Sequence, residues 1–234
     1  MATNGVLYLI PTLLGDSEPL EVLPMRVKKS IDMIDHYIVE NEKSARAFIK
    51  RVLPSKKQPE LVMFTLNKFT DAAEFTRFLA PCREGKPVGI LSEAGTPCIA
   101  DPGAVIVEIA HKEGIRVVPL VGPSSILLAL MASGMNGQKF TFNGYLPVET
   151  GERKKEIRKL EALARKGHTQ IFMETPYRNQ RMMEDLLVAA DDHMRLCIAA
   201  DISLPTEFIL TKTIKQWRNN VPDLNKRPCI FILG

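Results

Sequence analysis

Short apolar runs alternate with amphipathic stretches through the first half of the chain. The runs Val6–Ile10, Tyr37–Val39, Leu61–Leu66, Val88–Leu91 and Ile115–Leu120 have strand length. Between them, Pro24–Ile34, Lys43–Val52, Asp71–Leu79 and Pro102–Lys112 carry the spacing of one-sided helices. Strands separated by helices predict βαβ units and a mostly parallel sheet. After residue 120 the rhythm changes. A helix is expected at Ile126–Ala132, started by Ser124 or Ser125 and ended by Gly134. Phe140-Thr141-Phe142 alternates as a strand does, and a charged helix is expected from about Glu152 to Lys166. Strands at Thr169–Met173, Leu196–Ala200, Phe208–Lys212 and Cys229–Leu233, with a helix at Asn179–Ala190, have less regular spacing, which predicts a mixed sheet. The reading is an α/β protein of two domains, residues 1–119 and 120–234.

Composition narrows this picture modestly. The chain has 234 residues, 45% hydrophobic and 25% charged, with a formal net charge of +4. That is ordinary for a globular protein and permits an anionic partner without demanding one. Cys82, Cys98, Cys197 and Cys229 form no CxxC pair, and the four histidines are scattered. This argues against a disulfide frame or a metal centre and fits reduced thiols in the cytoplasm. No apolar run approaches the ~20 residues that span a bilayer, and no signal peptide is evident.

Candidate chemistry sits at strand ends. Ser92 to Gly103, SEAGTPCIADPG, follows the strand Val88–Leu91. In open α/β folds, ligands bind at the carboxyl edge of the sheet. Asp101 and Pro102 read as cap and first residue of the next helix, whereas Glu93 to Pro97 reads as ligand contact. The loop from Pro11 to Asp16 follows the first strand but lacks the GxGxxG dinucleotide fingerprint. Glu174-Thr175-Pro176-Tyr177-Arg178 follows another strand; it is either a turn capped by Thr175 or a polar wall. Arg153, Lys154, Lys155, Arg158, Lys159, Arg165 and Lys166 crowd one predicted helix. They read as RNA-phosphate contacts or as a solvated face paired with Glu156 and Glu161. The stripe Met182, Met183, Leu186, Leu187 reads as core packing.

Taken together, these motifs resemble the tetrapyrrole (corrin/porphyrin) methylase superfamily of S-adenosylmethionine-dependent methyltransferases. Among its branches the likeness is greatest to bacterial enzymes acting on a cytidine ribose 2′-hydroxyl of small-subunit ribosomal RNA. Gly5 to Leu9 with Thr12 and Gly15 matches the opening strand and loop. Ser92 to Gly103 matches SDAGTPxISDPG, Gly122 to Ser125 matches GPSA, Phe140 to Pro147 with Arg153 matches FxFxGFLP, and Glu174 to Arg178 matches YESPHR. The resemblance implies two α/β domains with the cofactor in the cleft between them, and a homodimer. It implies a cofactor wall of Pro11, Thr12, Glu93, Ala94, Gly95, Thr96, Ser124 and Met173. Glu40 and Glu174 are the candidates to take the proton of an acceptor hydroxyl. Arg153, Lys154 and Arg178 are the candidate substrate contacts, and neither metal nor membrane is implied.

Departures concentrate on the acceptor side. Where the branch reads AEDTR, this chain has Val39-Glu40-Asn41-Glu42-Lys43, and Glu93 replaces an aspartate. RELTK is replaced by Ala200-Asp201-Ile202-Ser203-Leu204, and Glu149 stands near a usual lysine. A tetrapyrrole or other small acceptor, or a silent cofactor-binding paralogue, are therefore the alternatives.

Overall fold

Every strand of the first half runs the same way, as its alternation with helices requires. In the computed structural model, which describes residues 4–234, the chain divides into two units, Met1–Ser124 and Ser125–Gly234. The first unit begins with β1 (Val6–Ile10), α1 (Pro19–Val22), α2 (Met25–Met33), β2 (His36–Val39) and α3 (Glu42–Val52). Then come β3 (Val62–Thr65), a 3₁₀ helix (Ala72–Leu79), α4 (Ala80–Arg83), β4 (Val88–Leu91), α5 (Ala104–Lys112) and β5 (Arg116–Pro119). The sheet order is β3-β2-β4-β1-β5, parallel throughout.

Because successive side chains of a strand point to opposite faces, this sheet feeds two cores. On one face Ile10, Tyr37, Val39 and Leu91 pack with Val27 and Ile31 of α2 and with Ala45 and Ile49 of α3. On the other, Leu7, Ile38, Val88 and Ile90 pack with Phe78, Leu79, Ile106 and Ala110. The crossovers that leave β1 and β2 thus cover one face, and those that leave β3 and β4 cover the other. The Tyr37 hydroxyl donates to the carbonyls of Ile31 (3.2 Å) and Ile34 (3.0 Å), tying β2 to the end of α2.

The second unit comprises α6 (Ser125–Ser133), β6 (Phe140–Tyr145), α7 (Thr150–Ala164), β7 (Thr169–Met173), α8 (Asn179–Ala189), β8 (Arg195–Ala200), β9 (Phe208–Thr213), α9 (Ile214–Asn219) and β10 (Cys229–Leu233). Its sheet order is β6-β7-β10-β8-β9. Only the β6–β7 pair is parallel, so this sheet is mixed. The stripe Met182, Met183 and Leu186 is buried against Phe172, Leu196, Trp217 and Phe231, as core packing predicts.

Local chemistry moves several boundaries. α5 starts at Ala104, not Pro102, and Asp101 does not cap it. The Asp101 carboxylate is committed to the amides of Cys98 and Gly103, both at 2.8 Å, and closes a turn before the helix. The segment expected as an α-helix over Asp71–Leu79 is wound as 3₁₀. Asp71 caps it by accepting from Ala73, and the Ala80 amide takes the Arg77 carbonyl three residues back. Thr175 is no side-chain cap; α8 begins after Arg178, and Thr175 contributes its carbonyl to the Arg178 amide. α7 starts early because Glu149 accepts from the amides of Gly151 (2.9 Å) and Glu152 (2.6 Å). At the other end Gly114, in the left-handed region, terminates α5 as expected, while the Ile115 amide returns to Ala110.

Gly122 admits no side chain. A Cβ there would lie 2.2 Å from the Pro11 ring. Gly122→Ala is expected to cost about 1–3 kcal/mol through overpacking, read by urea unfolding. Gly137→Ala, which meets nothing within 4 Å, is the comparison expected to leave the midpoint almost unmoved.

Candidate functional site

β1 and β4 are hydrogen-bonded neighbours whose connections leave for opposite faces of the sheet. Such a switch point opens a crevice at the carboxyl ends of the two strands. The loops there are knotted together. The Thr12 amide donates to the Gly95 carbonyl at 2.9 Å, and Ser92 Oγ donates to the same carbonyl at 2.7 Å. Thr12 Oγ1 and Ser92 Oγ are 3.3 Å apart, both buried. Gly95 has φ +72, and a Cβ on it would sit 3.0 Å from Leu14 and 3.1 Å from the Pro123 carbonyl. Gly122 against Pro11 and Pro123 against Gly95 bring in the loop after β5, which ends at buried Ser124.

A cavity of about 200 Å³ lies beside this knot. Thr12, Leu13, Leu14 and Gly15 line it from the loop after β1, Ser92, Glu93 and Ala94 from the loop after β4, and Ser44, Ala45 and Phe48 from α3. The structure thereby brings together Pro11, Thr12, Glu93, Ala94, Gly95, Thr96 and Ser124. Glu93 and Ala94 are exposed, and Glu93 Oε1 accepts from Ser44 Oγ at 2.7 Å. Glu40, at the end of β2, is half-buried. Burial raises its carboxyl above the ordinary range, reinforced by the charges of Asp101 and Glu93 and opposed by the Glu93 amide donating to it. Burial also raises Asp101, against the two amides it accepts. The cluster is a region of negative potential, suited to a cationic ligand group.

The backbone here is also strained. Cys98 (φ 67) and Ala100 (φ 61) occupy the left-handed region without being glycine. Strain of this kind collects at functional loops. The Cys98 thiol is pushed up to about 12 by burial and by Asp101, so it is no nucleophile.

The remaining expected residues lie in the second unit. Met173 ends β7, and Glu174 follows it, buried at 5% exposure. Glu174 Oε1 accepts from the Thr175 amide (2.7 Å) and from Arg178 Nη2 (2.6 Å). Arg153 is placed differently from the expectation of a phosphate contact. It is 3% exposed and ion-paired with Asp185, its Nε 2.8 Å from Oδ2, while Nη1 donates to the carbonyls of Pro147 and Val148. A guanidinium so enclosed joins α7 to α8 and has no face left for a phosphate. Lys154, more open, reaches the same Asp185 at 3.5 Å.

With this geometry in hand, comparison with known proteins is decisive for the family. Residues 6–217 match the family described as Tetrapyrrole (Corrin/Porphyrin) Methylases. The chain belongs to this family. Among curated methylase relatives, the Haemophilus influenzae protein named ribosomal RNA small subunit methyltransferase I is 28% identical over 233 residues, 98% of this chain and 78% of that one. Its namesake from Vibrio cholerae is 30% identical over 208 residues, 88% of this chain and 68% of that one. Among solved structures, a uroporphyrin-III C-methyltransferase from Thermus thermophilus, complexed with S-adenyl homocysteine, superposes with a TM-score of 0.59. It covers 98% of this chain and 97% of its own at 17% identity, which is a likeness of methylase fold.

Two parts of this methylase's site escape a linear reading. Ser44 and Phe48 join the cavity wall only because α3 follows β2 on the face that β1 also uses. The one available signal is Asn41, which caps α3 by accepting from Lys43 and Ser44 and so sets Ser44 in its first turn. Asp185 lies 32 positions from Arg153, and no local pattern pairs them.

Two outcomes follow. Asp185→Ala, which strands the buried Arg153 charge, is expected to cost about 3–5 kcal/mol in urea unfolding. Glu40 carries a proton more readily in the folded chain than in the unfolded one. Stability linked to it therefore falls as pH rises from about 4.3, the unfolded value, through the raised folded value. Unfolding midpoints at about pH 4 and pH 8 are expected to show Glu40→Gln gaining on the parent at the higher pH.

Proposed function

We propose that this chain is an S-adenosylmethionine-dependent methyltransferase whose acceptor is a ribose 2′-hydroxyl in small-subunit ribosomal RNA. The observation that carries the reading is the cavity at the β1/β4 switch point of a methylase-family chain, closed by the Thr12–Ser92–Gly95 knot. The residues present fit the cofactor. Gly95 leaves space that a side chain would fill, the carbonyls and hydroxyls of Thr12, Ser44 and Ser92 are hydrogen-bonding groups, and Glu93 with Glu40 complements positive charge. A cavity of about 200 Å³ is smaller than the ~300–1,000 Å³ typical of a whole ligand, so it takes part of the molecule. Pro11, Ala94, Thr96 and Ser124 shape the same wall, and Met173, expected with them, ends β7 in the second unit.

When bound, the cofactor supplies an electrophilic methyl group on a positively charged sulfur. The protein's task is to hold the acceptor oxygen in line with that methyl, and positioning of this kind provides most of the acceleration. Glu40, with its raised carboxyl, is the better-matched base for the hydroxyl proton. Glu174 is tied to Arg178 and serves the acceptor side with Arg178 and Lys154. Arg153 serves that side indirectly, as a brace between α7 and α8. The relatives named for ribosomal RNA favour this acceptor over a tetrapyrrole, which rests on neighbours of 17–18% identity. We place the activity in the cytoplasm. We also propose a homodimer, in keeping with α6, whose Leu127 (50% exposed) and Met131 (78% exposed) present apolar surface.

The test combines methyl-labelled S-adenosylmethionine with small ribosomal subunits from cells lacking the gene. Label is expected in a ribose-methylated nucleoside, and the demethylated cofactor is expected to raise the melting temperature. Label in uroporphyrinogen instead, or in neither, would overturn the RNA assignment. No melting shift at millimolar ligand would overturn the cofactor site.

A further inference from the structure

The second unit carries a group of features that cofactor binding in the first unit does not explain. β6 and β7 are parallel neighbours, so their carboxyl ends lie at one edge of the sheet. Two tyrosines stand there in water. Tyr145, the last residue of β6, is 55% exposed, and Tyr177, in the turn after β7, is 77% exposed. The register between β6 and β7 slips between Phe142 and Tyr145, and Gly144 sits at φ +62 within the slip. Bulges of this kind re-aim a side chain. Large aromatic side chains left in water at one edge have a use when something stacks on them.

The same edge carries cations. α7 and α8 both begin there, each after the turn that leaves its strand; the Glu149 carboxylate occupies the α7 N-terminus, while no side chain caps that of α8. Around the single carboxylate of Asp185 gather Arg153, Lys154 and Arg181. Arg153 is enclosed, so Lys154 and Arg181 are the partners open to solvent.

A third, independent observation concerns unmet hydrogen bonds. Glu174 makes one bond to Arg178, through Oε1. Its Oε2 and the Arg178 Nε are both buried and both without a partner. An acceptor and a donor, left over on one ion pair, cost free energy unless a ligand or water meets them. A group offering a donor beside an acceptor, as the edge of a nucleobase does, would meet both.

We propose that the β6/β7 edge is a docking surface for single-stranded RNA. An unstacked base lies on Tyr177 or Tyr145, its edge meets Glu174 Oε2 and Arg178 Nε, and flanking phosphates lie toward Lys154, Arg181 and the uncapped N-terminus of α8. Stacking of unpaired bases on aromatic rings beside a basic groove is how proteins hold single strands. A duplex keeps its bases stacked and offers no such face. The inference rests on the proposed RNA acceptor.

The test measures binding of a short single-stranded oligoribonucleotide, and of the same sequence as a duplex, to the parent, Tyr145→Ala/Tyr177→Ala and Tyr145→Phe/Tyr177→Phe. Calorimetry with S-adenosylhomocysteine and a thermal melt accompany each protein. The alanine pair is expected to weaken single-strand binding at least about 5-fold, with cofactor affinity and melting temperature kept. The phenylalanine pair, which keeps the ring faces, is expected to bind as the parent does. Arg178→Lys, which removes the Nε donor, is expected to weaken binding with a smaller change in salt slope than Lys154→Ala. If the alanine pair binds single strands as well as the parent while the parent methylates small subunits, the docking surface is wrong and the RNA acceptor stands. If the parent neither binds nor methylates RNA, both fall together.

Discussion

The 2.9 Å hydrogen bond from the Thr12 amide to the Gly95 carbonyl ties together the loops after the two strands that the fold drives apart. β1 sends its chain to one face of the sheet and β4 to the other, and something must hold their ends across the gap. The buried hydroxyls of Thr12 and Ser92 do this from the side-chain direction. Gly95 makes it possible, because its left-handed backbone turns the carbonyl inward and its missing Cβ leaves room for Leu14 and Pro123. The cavity, the exposed position of Glu93 and the shielding of Glu40 all follow from this arrangement.

The second unit obeys a different logic. Its sheet is mainly antiparallel, and its polar edge is organised by ion pairs rather than by backbone contacts. Arg153 and Asp185 form a buried pair joining α7 to α8, and Arg227 binds Asp201 at 2.7 Å on the far side of the sheet edge. Buried pairs add little net stability, but each is costly to break from one side. They fix which elements meet, Arg153–Asp185 joining α7 to α8 and Arg227–Asp201 the segment before β10 to the end of β8.

Much of this was legible in the chain. Alternation of apolar runs with amphipathic segments identified all five strands of the first sheet, most plainly β4, which is buried throughout and reads as a continuous apolar run. The strand-end loops stood out because Gly, Pro, Ser and Asp cluster there for reasons of turn chemistry. Where a polar residue had two possible partners, the linear reading failed. Asp101 sits where a cap should, yet its carboxylate serves the amides of Cys98 and Gly103. Arg153 lies among solvent-facing cations, yet it is the one drawn inward by Asp185. Neither choice is encoded nearby, since burial is decided by residues far along the chain. The tyrosines at the β6/β7 edge were quoted as motif letters only, because exposure has no sequence signature.

The order of strands in the second sheet also bears on how the protein comes into being. β10, Cys229–Leu233, is the last strand in sequence and the central one in space, hydrogen-bonded to β7 on one side and β8 on the other. Until it is synthesised, β6–β7 and β8–β9 are two separate ribbons with unpaired inner edges. The first sheet is complete by residue 119 and is free to form as the chain emerges. The second must wait for a five-residue strand, all of it buried, to slide between two halves already made. During that wait its inner edges are open to any other strand that passes, which makes the interval before β10 emerges the one most exposed to aggregation.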